Sequence, residues 1–325
     1  KAAYNFGSGW NAFADMQMRI VDYTTDGVND KFIKGKKDGR KFYTQQQLNI
    51  DETYVFYNPK AGISYTRGGH KAYASVAYAN REPERNNFTD NSSAALPKAE
   101  HLFDTELGYQ YRAANWYASA NLYYMRYINQ FVMTGAKSDI GEAITSNIKN
   151  SYRLGAELSA GWSPLQWLSL EGNAALSQNK LKNFTEEVEA WDTEAVHNTY
   201  AKSTLSYSPS AILNGFVDVH FGGFSATWHT NFVSRQYLDN TESSERSIPS
   251  YSQTDLAFNY TSKVSKVLGM KQVTLGIDFN NIFNRHYAAS GYVYYDWYNE
   301  GKRTSTLAYI PMAGFTCMGH VTLKF

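Results

Sequence analysis

The stretch Gly319-His320-Val321-Thr322-Leu323-Lys324-Phe325 alternates strictly between two kinds of residue and ends on an aromatic ring. Extended back to residue 316, one face carries small or apolar side chains and the other mostly polar ones: Cys317, Gly319, Val321, Leu323 and Phe325 against Thr316, Met318, His320, Thr322 and Lys324. Because successive side chains of a strand point to opposite sides, this period of two residues predicts a β-strand with one apolar face. Such a strand is typical of the last strand of a membrane β-barrel, but a soluble sheet can contain one too. Repetition of the pattern along the chain therefore decides between them.

The alternation recurs throughout the chain. It is found in ten earlier segments, which are residues 10–23, 72–78, 102–111, 116–124, 152–160, 168–176, 213–221, 224–232, 254–260 and 273–279. We expect about twelve strands of about ten residues each, which is the length that a tilted strand needs to cross a bilayer.

The connections between these segments alternate in length. The short ones are residues 67–69, 112–115, 163–166, 222–223 and, slightly longer, 261–269; the long polar ones are residues 24–54, 81–101, 130–150, 178–203, 235–250 and 284–313. Aromatic residues that suit an interfacial girdle lie at the short-turn ends: Trp116, Trp162, Trp167, Phe221, Phe224 and Phe325. Short turns at one rim and long exterior loops at the other are typical of outer-membrane barrels. The predicted fold class is all-β, a transmembrane antiparallel up-and-down β-barrel.

Composition agrees with this fold class. A mean hydropathy of −0.50 without a long apolar run excludes transmembrane helices, whereas barrel strands expose only alternate residues to lipid and can be hydrophilic on average. The aromatic content of 16%, with 26 tyrosines, is high for a soluble domain. A net charge of +1 gives no reason to expect nucleic acid as a partner. The single cysteine, Cys317, excludes a disulfide framework and a cysteine-based metal site.

Several motifs resemble the barrel of TonB-dependent outer-membrane receptors, in the order and spacing of that family. They include Asn58-Pro59-Lys60-Ala61-Gly62, Leu96-Pro97-Lys98-Ala99-Glu100, Arg235-Gln236-Tyr237-Leu238-Asp239-Asn240-Thr241, Asp278-Phe279-Asn280-Asn281-Ile282-Phe283-Asn284-Arg285-His286-Tyr287 and Val321-Thr322-Leu323-Lys324-Phe325. The resemblance implies that residues 1–325 are about twelve C-terminal strands of a 22-stranded barrel whose lumen is plugged. It also implies a location in the outer membrane of a Gram-negative bacterium.

Residues 1–6 read as the end of a strand, followed by the turn Gly7-Ser8-Gly9. We therefore expect that the chain begins inside a larger protein, with the N-terminal plug and the earlier strands absent from it. In the family, the absent N-terminal segment couples the barrel to the TonB energy-coupling complex, which the resemblance makes an expected partner.

Residues that would carry enzymatic chemistry are hard to find, and we expect no enzyme. The seven histidines are dispersed, without the spacing of a metal site. His101, His197 and His286 lie on or near exterior segments, where they are either solvated loop residues or ligands for a haem iron. We expect no metal site and no cofactor in the chain itself, although a transported ligand can carry iron.

Candidate binding residues lie on the exterior side. The aromatic segment 291–298 contributes Tyr292, Tyr294, Tyr295 and Trp297, which suit stacking on a planar ligand or a catecholate; the alternative is packing of loop on loop. Arginines at or near the outer mouth suit an anionic chelate, together with two tyrosines: Arg81, Arg85, Arg126, Arg153 and Arg235, with Tyr127 and Tyr237. The alternative role of these arginines is in salt bridges with Glu142, Glu157 and Asp239.

The predicted function is TonB-dependent import of a scarce nutrient, namely a ferric chelate of the siderophore or iron-citrate type. Importers of cobalamin, haem, glycans or peptides remain alternatives within the family. A passive porin, an adhesion barrel and a soluble all-β binding protein are the alternatives outside it. Outer-membrane lipid and the barrel-assembly machinery are further expected partners. Val321, Leu323 and Phe325 resemble the signal that this machinery reads. Whether a surface lipoprotein is also a partner is left open by the sequence.

Overall fold

The computed structural model describes residues 1–37, 40–90, 96–137, 143–191, 193–263 and 269–325. These residues form β-strands and one short helix: β1 (Ala2–Gly7), β2 (Trp10–Lys37), β3 (Arg40–Arg67), β4 (His70–Arg81), α1 (Arg85–Thr89), β5 (Glu100–Arg112), β6 (Trp116–Lys137), β7 (Ala143–Leu165), β8 (Leu168–Ala190), β9 (Val196–Thr204), β10 (Ala211–Phe221), β11 (Phe224–Val233), β12 (Gln236–Tyr237), β13 (Ser247–Ile248), β14 (Tyr251–Lys263), β15 (Gln272–Asn280), β16 (Ala288–Asn299), β17 (Lys302–Pro311) and β18 (Thr316–Lys324). In the described part of the chain, no helix has the length and apolar character to cross a membrane.

The wall of the molecule is one antiparallel sheet that follows the chain. Its order is β1-β2-β3-β4-β5-β6-β7-β8-β10-β11-β14-β15-β18. β9 and β10 pair with successive parts of β8, so they are two halves of one wall strand that is interrupted at residues 205–210. The path from β1 through twelve further strands confirms the predicted fold class and strand count. Within the described residues, β1 and β18 form the two edges of this sheet.

Tight turns join the strands at one rim of the sheet. β3 ends at Arg67 and β4 begins at His70, which leaves Gly68 and Gly69 at the two turn positions with φ of 55° and 84°. A two-residue hairpin of this kind needs positive φ at both positions, which glycine adopts without steric cost. The short turns predicted at 67–69, 112–115 and 222–223 are confirmed.

The opposite rim differs from the prediction. The segments 24–54, 130–150, 178–203 and 284–313 were expected as long loops, but most of their described residues form paired hairpins, β2–β3, β6–β7, β8–β9 and β16–β17. The prediction was wrong because these extensions lack a continuous apolar face, so no alternation marks them. Cross-strand pairing nevertheless satisfies their backbone N–H and C=O groups. The loops at 81–101 and 235–250 also contain α1 and the short pair β12–β13.

Two asparagines reverse the alternation where strands leave the wall. Asn129 in β6 and Asn183 in β8 have φ of 55° and 54°, a left-handed conformation that asparagine tolerates better than most residues. Before Asn183 the buried residue is the odd-numbered Leu181, whereas after it Phe184 and Glu186 are buried. This reversal therefore turns Glu186 toward the interior of the part of the molecule formed by the paired hairpins, which we call the hairpin region.

Most buried apolar residues lie in this hairpin region. One cluster consists of Val132, Ile148, Leu181 and Phe184, with Tyr200 and Leu205 packed against it, and a second consists of Leu48, Ile50 and Phe88, with Tyr23. The wall itself keeps its apolar residues on the outward face, where Leu107 and Leu122 are 57% and 51% exposed. This is the distribution expected of a wall whose solvent on the outward side is lipid.

Aromatic rings on the other face lie over glycines of neighbouring strands. A Cβ atom at Gly108 would lie 2.1 Å from the ring of Tyr73, and one at Gly155 would lie 2.4 Å from the hydroxyl of Tyr123. Glycine therefore permits the ring to lie close to the backbone of the adjacent strand.

Candidate functional site

Exterior segments enclose a cavity of about 190 Å³, which we call the loop cavity. Its lining comes from β6, β7, β8, the connection from β11 to β14, and the hairpin β16–β17, and includes Lys137, Glu186, Asp239, Tyr292 and Asp296. Tyr207, in the break between β9 and β10, also lines it. The cavity thus depends on segments that are far apart in the chain.

Arg303 ties the hairpin β16–β17 to β8. Its Nη1 and Nη2 atoms donate to the carboxylate of Glu186 at 2.9 and 2.6 Å, and its Nε atom donates to Asp296 at 2.8 Å. The side chain of Glu186 is 2% exposed. Burial acts to lower the pKa of Arg303, but the hydrogen bonds to Asp296 and Glu186 outweigh it and raise this pKa. Arg303 therefore keeps its positive charge at physiological pH.

Lys137 and Tyr207 hold the same hairpin through its backbone. The Nζ atom of Lys137 donates to the carbonyl oxygens of Val293 and Tyr294. The hydroxyl of Tyr207 donates to the carbonyl oxygen of Gly291 at 3.0 Å. Burial lowers the pKa of Lys137 and raises the pKa of Tyr207, because desolvation disfavours the charged form of each.

Three carboxylates converge beside the loop cavity. Glu186, Asp239 and Asp296 have ligand-type oxygen atoms within 4.8 Å of one another. Arg303 donates to two of these residues, and Arg246 donates to Asp239. The guanidinium groups therefore compensate for the negative charge, and we assign this network to positioning the hairpin.

The aromatic segment 291–298 has both a packed and an exposed side. Tyr292, Tyr294 and Tyr295 are 47%, 49% and 47% exposed. The ring centroids of Tyr294 and Tyr295 are 4.3 Å apart, those of Tyr295 and Trp297 are 5.1 Å apart, and Trp297 meets Trp191 at 5.9 Å. Trp297 also takes part in the pairing of β16 with the end of β8. The segment therefore packs loop on loop and still presents a row of rings to the exterior.

A second group of predicted residues lies on the polar face of β4 to β7, and we call it the lumen-wall cluster. It consists of Arg81, Glu100, Tyr127 and Arg153. Arg81 donates to Glu100 at 3.2 Å, and the guanidinium of Arg153 lies 5.6 Å from the centroid of the Tyr127 ring. In the part of the chain that the structure describes, no carboxylate lies within 4 Å of Arg153, and its buried Nε atom has no hydrogen-bond partner.

Arg126 is placed differently from the prediction. It is exposed and in phase with Leu122 and Tyr124, on the outward face of β6, whereas its neighbour Tyr127 is on the lumen face. Adjacent residues of a strand point to opposite sides, so Arg126 does not reach the mouth of the lumen. We therefore remove it from the candidate site.

The remaining predicted residues are dispersed. Arg85 is the first residue of α1 and is exposed. Arg235 is exposed in the connection after β11, and Tyr237 lies in the two-residue strand β12. The structure does not bring these three into the lumen-wall cluster, and their binding roles stay predictions.

The acidic partners predicted for the arginines have other contacts. Asp239 accepts from Arg246, and Glu157 accepts from the amide of Asn121 at 3.4 Å. Glu142 lies outside the described residues. The predicted pairing is therefore wrong for Asp239 and Glu157, although Arg81 does form a salt bridge, with Glu100.

The three histidines considered for haem lie on separate elements. His101 is in β5, where Nδ1 contacts the side-chain oxygen of Asn80 at 2.5 Å, His197 is in β9, and His286 lies between β15 and β16.

The residues that sequence reasoning missed are those that hold the hairpin, above all Arg303 and Glu186. They are 117 positions apart in the chain, so no local motif links them. The available signal in the sequence was Arg303 itself, a cation that closely follows the aromatic segment 291–298.

Residues 5–282 match the family model described as TonB dependent receptor-like, beta-barrel. The chain belongs to the TonB-dependent receptor family. The resemblance read from its motifs is thereby confirmed, as is a location in the outer membrane of a Gram-negative bacterium. In this TonB-dependent receptor the long hairpins face the exterior, the short turns face the periplasm, and the polar face of the wall lines the lumen.

Solved structures share the fold of this TonB-dependent receptor. The copper transporter OprC is 13% identical with a TM-score of 0.71, and the match covers 98% of this chain and 47% of OprC. The ferric yersiniabactin uptake receptor FyuA from Yersinia pestis is 14% identical with a TM-score of 0.60, covering 99% and 44%. The siderophore receptor PiuA from Acinetobacter baumannii is 14% identical with a TM-score of 0.63, covering 97% and 41%.

At these identities the likeness concerns the fold alone, and the chain spans less than half the length of each of these proteins. No curated protein matches the chain.

Proposed function

We propose that this TonB-dependent receptor imports an anionic ferric chelate across the outer membrane. The exterior hairpins and the lumen-wall cluster would capture the chelate, and energy supplied through the TonB complex would release it into the lumen. Family membership supports import of this general kind, and the names of FyuA and PiuA refer to siderophores. The ligand class rests on the residues of this chain.

The observation that carries the proposal is the environment of Arg153. The cation lies on the lumen face beside Tyr127 and has no carboxylate partner in the described parts of the chain. A guanidinium with an unused donor suits carboxylate, hydroxamate or catecholate oxygens, to which it can offer charge-assisted hydrogen bonds. Arg81, which is half-exposed and shared with Glu100, is positioned to add a second such contact.

The exposed rings of the hairpin β16–β17 support the same ligand class. Tyr294 and Tyr295 present an aromatic surface at the exterior, where a planar chelating group can stack on it and accept hydrogen bonds from hydroxyl groups. Such a surface favours initial capture, whereas Arg153 lies further along the path into the lumen.

The test is an uptake assay with cells that express the protein. Labelled iron is supplied to the cells as ferric citrate or as a ferric catecholate. We expect uptake that disappears when TonB is deleted, since passive flow does not concentrate a scarce ligand. Labelled haem and cobalamin are offered in parallel. Uptake that persists without TonB would support a passive porin instead, and TonB-dependent uptake of cobalamin or haem alone would replace the proposed ligand.

A further inference from the structure

A cluster of three cations lies on the outward face of the wall, toward its exterior edge. Arg126 follows Leu122 and Tyr124 on β6, Lys182 follows Leu176 on β8, and Lys202 is the residue of β9 directly opposite Lys182. All three cations are exposed. We call Arg126, Lys182 and Lys202 the outward basic cluster.

The cluster surrounds one tyrosine. The Nζ atoms of Lys182 and Lys202 each lie 5.8 Å from the ring centroid of Tyr152. Arg126 is the direct register partner of Tyr152 on β6. The three cations, on β6, β8 and β9, are thus gathered around Tyr152 of β7, which lies between β6 and β8.

In the described parts of the chain, none of the three cations has an ion-pair partner. No carboxylate lies within 4 Å of any of the three, whereas the adjacent Lys180 is bound by Glu242 at 3.0 Å. Like charges directly opposite each other on two strands destabilise a sheet. Cation–π contact with Tyr152 offsets part of this repulsion but adds no negative charge. The arrangement lacks an anion, and one bound between Lys182 and Lys202 would remove the repulsion.

The depth of the cluster identifies the source of that anion. Arg126 is ten residues from Trp116, which lies at the short-turn end of the same strand. Ten residues correspond to roughly 33 Å along a strand, and a tilt of about 40° reduces this to about 25 Å of height. That height equals the thickness of the apolar band of a membrane barrel, and the outward residues between the two ends, Ala118, Ala120, Leu122 and Tyr124, are apolar or aromatic. The cluster therefore lies at the level of the outer-leaflet headgroups, where a tyrosine beside basic side chains is favoured.

We propose that the outward basic cluster binds the phosphate of an outer-leaflet lipid headgroup. Lys182 and Lys202 would hold the phosphate between them, Arg126 would reach it from β6, and the apolar wall below would contact the acyl chains. The site is separate from the lumen and from the residues proposed for ligand capture. The lipid-binding proposal is therefore tested independently of the import proposal.

The experiment uses the protein extracted from outer membranes and delipidated in a nonionic detergent. Binding of phosphatidic acid is titrated by native mass spectrometry, with phosphatidylcholine as the zwitterionic comparison. We expect the double substitution Lys182→Gln/Lys202→Gln to weaken binding of phosphatidic acid about 30-fold, and Arg126→Gln to weaken it about fivefold. Lys182→Arg/Lys202→Arg should retain binding because it keeps both charges, and it also checks that the position tolerates substitution.

Lys71→Gln is the matched control, since Lys71 is on a wall strand but lines the lumen face. It should leave lipid binding unchanged. The proposal is overturned if Lys182→Gln/Lys202→Gln behaves like Lys71→Gln, or if phosphatidylcholine binds as well as phosphatidic acid. It is also overturned if inorganic phosphate displaces phosphatidic acid at equal concentration, because the site would then take a soluble anion.

Discussion

Arg153 differs from two other arginines of the lumen face in its partners. Arg19 is paired with Glu82 and Arg81 with Glu100, whereas Arg153 has only the ring of Tyr127 beside it. A cation of this kind gains most when a ligand supplies the missing negative charge, because a partly buried guanidinium otherwise keeps an unsatisfied donor. Arg153 is therefore the residue at which loss of charge should affect ligand binding most.

Substitution of Arg153 by Gln should weaken binding of the ferric chelate about 10- to 100-fold, the value of a hydrogen bond to a charged group. Titration of purified protein, followed by quenching of its aromatic fluorescence, measures this. Arg126→Gln is the matched control, because Arg126 points away from the lumen, and it should bind the chelate as the wild type does. Equal losses in both variants would mean that charge in general, and not the lumen contact, supports binding.

Arg303 should be important for the position of the hairpin β16–β17. Arg303→Gln leaves Glu186, whose side chain is 2% exposed, without its cation, which costs about 3 kcal/mol or more for a buried pair. We expect faster cleavage within residues 288–311 in limited proteolysis, with the rest of the barrel resistant. Lys302→Gln, next to it and exposed, should have no effect.

The double substitution Glu186→Gln/Arg303→Gln tests the pairing itself. It removes both charges, so protection of the hairpin should recover in part. The single variants Glu186→Gln and Arg303→Gln are measured beside it. If the loss of protease protection in the double variant equals the sum of the losses in the two single variants, the residues act separately.

At the scale of single residues, sequence reasoning identified part of the lumen-wall cluster, whose binding role stays a prediction. Arg81, Tyr127 and Arg153 could be predicted because alternation places their side chains on one face and strand neighbours bring them together. Arg303 and Glu186 could not, because their contact depends on how a hairpin folds back over the wall. Arg126 was misassigned because its distance from the exterior rim was considered without its phase, which the neighbouring Leu122 and Tyr124 already indicate.

At the scale of elements, glycine positions decide how closely neighbouring strands and rings approach. Gly155 of β7 has no room for a side chain, since a Cβ atom would lie 2.4 Å from the hydroxyl of Tyr123 and 2.6 Å from the backbone oxygen of Leu176. Gly215 of β10, by contrast, has no atom within 4 Å of that position.

Gly155→Ala should therefore destabilise the barrel by roughly 1–3 kcal/mol, the usual cost of overpacking. Gly215→Ala is the matched control and should be neutral or stabilising by about 0.5–1 kcal/mol, because alanine restricts the unfolded chain. Thermal unfolding in detergent, followed by far-UV circular dichroism, ranks the two variants. A Gly155→Ala protein as stable as Gly215→Ala would contradict the close approach of Tyr123.

The wall strands could be predicted from sequence, and the exterior hairpins could not. Wall strands such as β10 and β11 contact lipid on one side and the lumen on the other, so their residues must alternate. The outer parts of β2, β3, β16 and β17 have no lipid on either side, so their pairing leaves no alternation in the sequence. The reversals of alternation at Asn129 and Asn183 could not be predicted from sequence either. Asparagine in a strand permits a left-handed conformation but does not require one.

At the scale of the whole molecule, the outward face of β18 is expected to contribute to assembly of the barrel. This face ends in Val321 and Leu323, and Phe325, which follows the strand, is 65% exposed. Deletion of Phe325 should lower the amount of protein inserted in the outer membrane several-fold and leave the ligand affinity of the inserted fraction unchanged, since Phe325 lies far from Arg153. Heat-dependent migration of membrane fractions on gels measures insertion. Normal insertion with lost ligand binding would contradict this role for Phe325.

The contact between Arg303 and Glu186 also bears on the order of folding. Strands of the wall pair with neighbours in the chain, so each can be added soon after its partner, with little loop-closure cost. The hairpin β16–β17 instead docks on β8 through residues more than a hundred positions apart in the chain, the register pair Trp297 and Glu189 and the ion pair of Arg303 and Glu186. Its docking must wait until the wall strands between them are in place. Protection of this hairpin from protease would therefore be among the last events of biogenesis, and its time course would report when the exterior of the receptor is finished.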